Sequence, residues 1–152
     1  MFDSNPSASD SVPDSQAASV PDSQADSLLN PLFIRGINEF NRGEFYACHD
    51  TLEAIWMVAE TVDKAFYQGV LQIAVAFYHL GNLNWRGGAI LLGEGINRLQ
   101  RFEPSYEKIA VEDLVDQAVE WLSLVQTAGP DGIAALMADL PRPLPHIQWV
   151  SA

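Results

Sequence analysis

The sequence predicts an all-α protein, a compact bundle of five to six helices with one central apolar helix. Three observations carry this. Apolar residues recur at i, i+3 or i+4, and i+7 through most of the chain beyond Asn30. These segments stop at helix punctuation: Asn41-Arg42-Gly43, Gly81-Asn82 and Gly129-Pro130. Alternating strand patterns are nearly absent. With 152 residues, 48% of them hydrophobic, the chain has room for one domain and enough apolar side chains to fill its core.

The elements follow in order. Residues 1–27 are rich in Ser, Asp, Ala, Gln and Pro, and SVPDSQA occurs at Ser11–Ala17 and again at Ser19–Ala25. Such a stretch buries too little apolar area to offset the entropy of ordering it, so a disordered tail, dispensable for folding, is expected there. Residues 28–140 form the expected helical domain. Asn30 caps the first helix with Pro31 at its first position. Phe33, Ile37 and Phe40 line its inner face, and Gly43 suits the left-handed position after its end. A second helix is expected from about Glu44 to Ala59, and a third from about Asp63 to Leu80. The third is apolar nearly all round, the mark of a buried helix. Asn84 caps a fourth, reaching Phe102. Its glycines suit close approach of a neighbour, although each costs up to about 1 kcal/mol relative to Ala. A fifth helix is expected at about Val111–Ala128 and a short sixth at Asp131–Ala138. Residues 141–152, with Pro141, Pro143 and Pro145, should be extended. A weak internal echo is also present: Leu83-Asn84-Trp85 repeats, 40 residues on, the turn-then-aromatic pattern of Gly43-Glu44-Phe45.

Charge narrows the function classes. The net charge is −12, with five of the negative charges in residues 1–29 and no Lys or Arg there. Such a surface repels phosphate backbones and anionic bilayers, so neither nucleic acid nor membrane is an expected partner. The longest apolar run, Val70–Leu80, is too short to span a bilayer and is interrupted by Gln72 and His79. The N-terminus has neither the basic nor the apolar region of a secretory signal. A cytoplasmic location is expected. Cys48 is the single cysteine, so no disulfide forms within the chain.

The chemistry concentrates between Glu44 and Leu80. Phe45, His49, Leu52 and Trp56 fall within about 60° on one helix, with Glu53 one turn after His49. Gln68, Gln72 and His79 share a face of the next helix to within about 40°. Polar groups on inward faces cost about 1–3 kcal/mol each unless partnered, so they should partner one another or share something bound. His49 and Glu53 have the spacing with which an imidazole and a carboxylate of one helix reach a single divalent metal, and His79 is the third candidate ligand. Gln68 and Gln72 would orient a water, a ligand histidine or a bound small molecule. Glu44 and Asp50 are candidate bases or further ligands. Two alternatives stand beside the metal: a metal-free ligand pocket, and a purely structural network across the helix interface. Cys48 and His49 point about 100° apart on a helix, which suits a small buried thiol better than a nucleophile with its base.

The same residues carry a resemblance. FNRGEFYACHDTLEAIW followed by FYQGVLQIAVAFYHLGNLNWRGGAILLGEGINRLQRF resembles the family known as domain of unknown function 309. Its pattern is a glycine and an aromatic pair, His-x-x-Leu-Glu-x-x-Trp, then Gln-Gly-x-x-Gln-x-Ala and a following His. The matching residues are Gly43, Phe45, Tyr46, His49, Leu52, Glu53, Trp56, Gln68, Gly69, Gln72, Ala74 and His79. Cys48 and Gly88 depart from the family's usual residues. The resemblance implies an all-helical domain, and a metal-dependent hydrolase by a label the family has carried. A non-enzymatic helical interaction module is the alternative function.

Overall fold

The structure, a computed structural model, describes residues 22–150, with side chains from residue 31 on. Five helices follow one another: α1 (Asp22–Asn41), α2 (Phe45–Val58), α3 (Thr61–Gly81), α4 (Trp85–Leu99) and α5 (Val111–Ala138). A 3-10 turn, Gln100–Phe102, extends α4. An antiparallel two-residue pair, β1 (Ser105–Tyr106) and β2 (Ile109–Ala110), leads into α5. The all-α expectation holds. Among the described residues, no helix is long and apolar enough to cross a membrane.

One expectation changes. α1 begins at Asp22 and carries Pro31 in its interior, so Asn30-Pro31 is not its start. A proline removes one i→i−4 hydrogen bond and a cap residue states a local preference; neither ends a helix that continues on both sides. The expected tail over 1–27 therefore meets described helix from Asp22, and its residues 1–21 lie outside the described residues. The expected fifth and sixth helices are the two arms of α5, which kinks through non-helical backbone at Gly129 (φ 70°, ψ 177°) just before Pro130.

α3 is the centre. Phe66, Tyr67, Val70, Leu71, Ile73, Ala74, Ala76, Phe77 and Leu80 are all buried, so apolar side chains leave it in every direction. It packs on α2 along one side and α4 along the other. α1 covers α2, and α5 covers α4. Trp121 of α5 reaches the middle of the core, its ring edge-on to Phe77 at 5.5 Å.

The α3–α4 seam is closed by glycines. A methyl group on Gly95 would stand 2.7 Å from Ile73 Cδ1 and 3.1 Å from the Gly69 carbonyl oxygen. One on Gly69 would meet Leu99 at 2.7 Å, and one on Gly88 would meet Leu80 at 2.3 Å. The helices therefore approach at backbone distance, which leucine-lined helices cannot do.

The internal echo is a repeated turn. Between α1 and α2, Glu44 N donates to Glu39 O (2.9 Å) and Gly43 N to Phe40 O (2.9 Å). Between α3 and α4, Asn84 N donates to His79 O (2.8 Å) and Leu83 N to Leu80 O (2.9 Å). The register is offset by the same 40 residues, and both turns pass through positive φ, at Gly43 (77°) and Leu83 (64°). This is the Schellman closure of a helix, made once with glycine and once with leucine.

The C-terminal segment is extended, as the prolines imply, and it is laced to the bundle. Trp121 Nε1 donates to Pro143 O, Asn41 bonds Ile147 through both its amide atoms, and Gln117 does the same with His146. Trp149 ends edge-on to Phe33 at 5.7 Å.

Two predictions follow from the seam and the turn. Gly95→Ala should lower stability by about 1–3 kcal/mol through overpacking. Gly93→Ala, in the same helix with nothing within 4 Å of its new methyl, should raise it by about 0.5–1 kcal/mol. Paired urea melts read both signs. Leu83→Gly should stabilise by about 0.5–1 kcal/mol by releasing a left-handed leucine; a loss of stability would show that its half-exposed side chain contributes more than the backbone strain costs.

Candidate functional site

The polar residues of α2 and α3 do not form one network. They fall into three groups along the interface.

The first lies on α2. Ligand atoms of His49, Asp50 and Glu53 all come within 4.8 Å of one another. His49 and Glu53 meet because they are one turn apart; Asp50 joins from the flank, its Oδ1 3.2 Å from His49 Nδ1. The His49 side chain is 12% exposed and Asp50 61%, so the group opens at the surface with its imidazole sunk. Glu53 Oε2 is buried and has no hydrogen-bond partner among the described residues. A buried lone oxygen of this kind costs about 1–3 kcal/mol or more unless something occupies it.

The second is a pocket of about 280 Å³ between α2 and α3, lined by Phe45, Tyr46, His49, Val75, Tyr78 and His79. Both histidines line this one cavity. Four rings run along it in series: His49 to Tyr46 (5.6 Å between centroids), Tyr46 to Tyr78 (5.2 Å) and Tyr78 to His79 (6.0 Å). His79 stands outside the His49–Asp50–Glu53 group. Its Nδ1 is 3.3 Å from Asn84 Nδ2, and Asn84 Oδ1 accepts from Gly87 N at the start of α4. His79 is thereby tied to the cap of the next helix.

The third group faces α4, which corrects the expectation that both glutamines look toward the histidines. Gln72 Nε2 donates to Glu94 Oε1 (3.3 Å), and Arg98 Nε donates to Gln72 Oε1 (3.1 Å). Both amide atoms of Gln72 are used, so it has little left for a metal-bound water. Gln68 lines a separate surface groove with Trp56, Lys64, Ala65 and Arg98.

Glu44 sits apart from all three. It pairs with Arg42 Nη2 at 3.0 Å on the α1–α2 turn, and that hydrogen bond holds its carboxyl below the ordinary range. As a base it would be weakened, and Asp50 is the better placed of the two carboxylates.

One buried polar cluster had no signal in the helix spacing. Glu39 is 5% exposed; Thr51 Oγ1 donates to its Oε1 at 2.7 Å and Arg35 Nε to its Oε2 at 3.1 Å. Glu39 is next to Phe40 in a run that reads as an ordinary amphipathic helix. A Thr one turn before Ile55 on the facing helix was the only hint. Cys48 is fully buried close by. Burial, and then the charge of Glu39, push its thiol far above the ordinary range. A buried thiol held in its protonated form is poorly suited to act as a nucleophile. Native protein should therefore leave Cys48 unlabelled by an aromatic disulfide reagent, with one equivalent of thiol appearing only in denaturant.

The comparisons with known proteins cover the part of the chain that holds these groups. Residues 33–91 match the model of a family described as Domain of unknown function (DUF309). No curated protein and no solved structure matches the chain. The matched span runs from Phe33 in α1 into α4 and holds His49, Glu53, Gln68, Gln72 and His79. The comparison therefore shows a match to the DUF309 family model over residues 33–91 of this chain.

Proposed function

We propose that this protein binds a divalent cation through His49, Asp50 and Glu53 and uses it to hydrolyse a small substrate seated in the adjoining pocket. The observation that carries this reading is the convergence of one imidazole and two carboxylates within 4.8 Å, one carboxylate oxygen being buried and unpartnered. The donor set fits a borderline cation such as zinc or manganese, since imidazole and carboxylate both ligate these ions. Three ligands from a single helix leave the far side of a bound ion open, as a catalytic site requires. Such an ion would polarise a substrate oxygen and lower the pKa of a bound water.

The chain's own residues would do the rest. Phe45, Val75, Tyr46 and Tyr78 give the pocket apolar and aromatic walls that orient a compact substrate and limit water. His79, on the α3 wall and in contact with Asn84, would donate or accept a proton there. Hydrolysis as the reaction class also rests on the family resemblance.

The second reading is a helical interaction module. Tyr46 is 56% and Tyr78 39% exposed, so the rim of the pocket presents aromatic surface of the kind protein partners cover. Under that reading the His49 group is structural.

Thermal melts separate the two. If the site binds metal, added zinc or manganese should raise the wild-type melting temperature as occupancy rises, equivalent to about 2.7 kcal/mol at a hundredfold excess over Kd. His49→Ala and Glu53→Ala should abolish that rise, and His79→Ala should keep it. If the module reading holds, metal changes none of the melts, and His49→Ala alone costs about 1–3 kcal/mol.

A further inference from the structure

A different place on the surface, distinct from the His49 group, carries a site of its own. The groove lined by Trp56, Lys64, Ala65, Gln68 and Arg98 has a volume of about 480 Å³ and lies where the end of α2, the start of α3 and α4 meet. Its polar rim is cationic, in a chain with 8 Lys and Arg against 20 Asp and Glu. Neither Lys64 nor Arg98 forms a salt bridge with a described residue. Lys64 Nζ instead stands 4.5 Å over the Trp56 ring. Arg98 uses Nε on Gln72, and the nearby Glu94 carboxylate accepts from the Gln72 amide through Oε1. The terminal guanidinium nitrogens, which bind carboxylates best in pairs, remain available.

Gln68 adds a neutral amide to this rim. Its Oε1 is buried with no partner, so the amide nitrogen is what the side chain can offer the groove. Three donors therefore border one depression whose walls are an indole, a methyl group and two alkyl stems. We infer that this groove binds a small carboxylate with a flat apolar body, the carboxylate held by Lys64, Arg98 and Gln68 and the body laid against Trp56 and Ala65. Inorganic phosphate would satisfy the cations and waste the apolar walls. A neutral ring would fill the walls and leave the cations solvated.

Titrations of the full-length protein followed by the Trp56 indole NH signal test this, with benzoate as probe and benzamide and inorganic phosphate as controls. Benzoate should bind saturably with a Kd in about the millimolar range, as expected for so few atoms. Benzamide and phosphate should each bind at least about tenfold more weakly. Lys64→Met and Arg98→Met keep the alkyl stems and remove the charges, and each should weaken benzoate about tenfold. Gln68→Leu should weaken it about fivefold or more. Circular dichroism melts confirm that the variants fold; Lys64→Met is at the surface and decides the matter even if Arg98→Met is unstable. Absence of saturable benzoate binding, equal binding of phosphate, or benzoate binding untouched by Lys64→Met would each overturn the proposal.

Discussion

The backbone-level contact between α3 and α4 is the constraint on which the rest depends. Gly69 and Gly95 face each other so closely that a methyl group on either would overlap the opposite helix, and Gly88 repeats the arrangement two turns away. Packing energy falls steeply with distance, so helices brought this close gain dispersion along their whole seam. The gain offsets the conformational cost of four glycines inside or beside one fifteen-residue helix. It also fixes which way α3 turns. With α4 pressed on one side, the polar face of α3 is divided between two neighbours. Gln72 goes to Glu94 and Arg98, and His79 stays at the α2 side with His49.

The doubled turn gives this arrangement its shape. Two helix pairs, α1–α2 and α3–α4, are closed by the same hydrogen bonds 40 residues apart. In each, the residue whose carbonyl closes the turn is polar, and the two have different fates. Glu39 is buried and bonded to Thr51 and Arg35. His79 opens on a pocket and steadies a cap. One turn geometry thus serves stability in the first pair and presents a titratable ring in the second. Leucine at the left-handed position of the second turn carries backbone strain that glycine spares the first.

The buried polar atoms follow a simple economy. Glu39 and Gln72 are buried and the partly buried Asn41 lies beside the C-terminal segment, and each has two hydrogen bonds. The exceptions, Glu53 Oε2, Gln68 Oε1 and Arg142 Nε, stand out against that background. Two of the three lie on the facing helices α2 and α3, beside a cavity or a candidate ligand cluster. Buried polar atoms are nearly always paired in folded proteins, so a concentration of unpaired ones is a chemical signal in its own right.

Much of this was legible in the residues. The 3.6-residue periodicity set the helix class and the central place of Val70–Leu80, because an all-round apolar helix has nowhere to go but the middle. Gly43 and Asn84 announced their turn and cap through backbone freedom and side-chain reach, both local properties. The closeness of His49 and Glu53 was also local, fixed by one helical turn. Asp22 as the start of α1 was not legible, since a proline signal competes with helix-forming neighbours on both sides. Nor was the β1–β2 pair, whose two-residue strands are too short to show alternation. The sharing of polar groups was decided only in three dimensions. Spacing places Gln68, Gln72 and His79 on one face within about 40°, but a helix with neighbours on two sides divides such a face between them. Where α2 and α4 press on α3 depends on glycine contacts between residues 26 positions apart, and no local pattern contains that information.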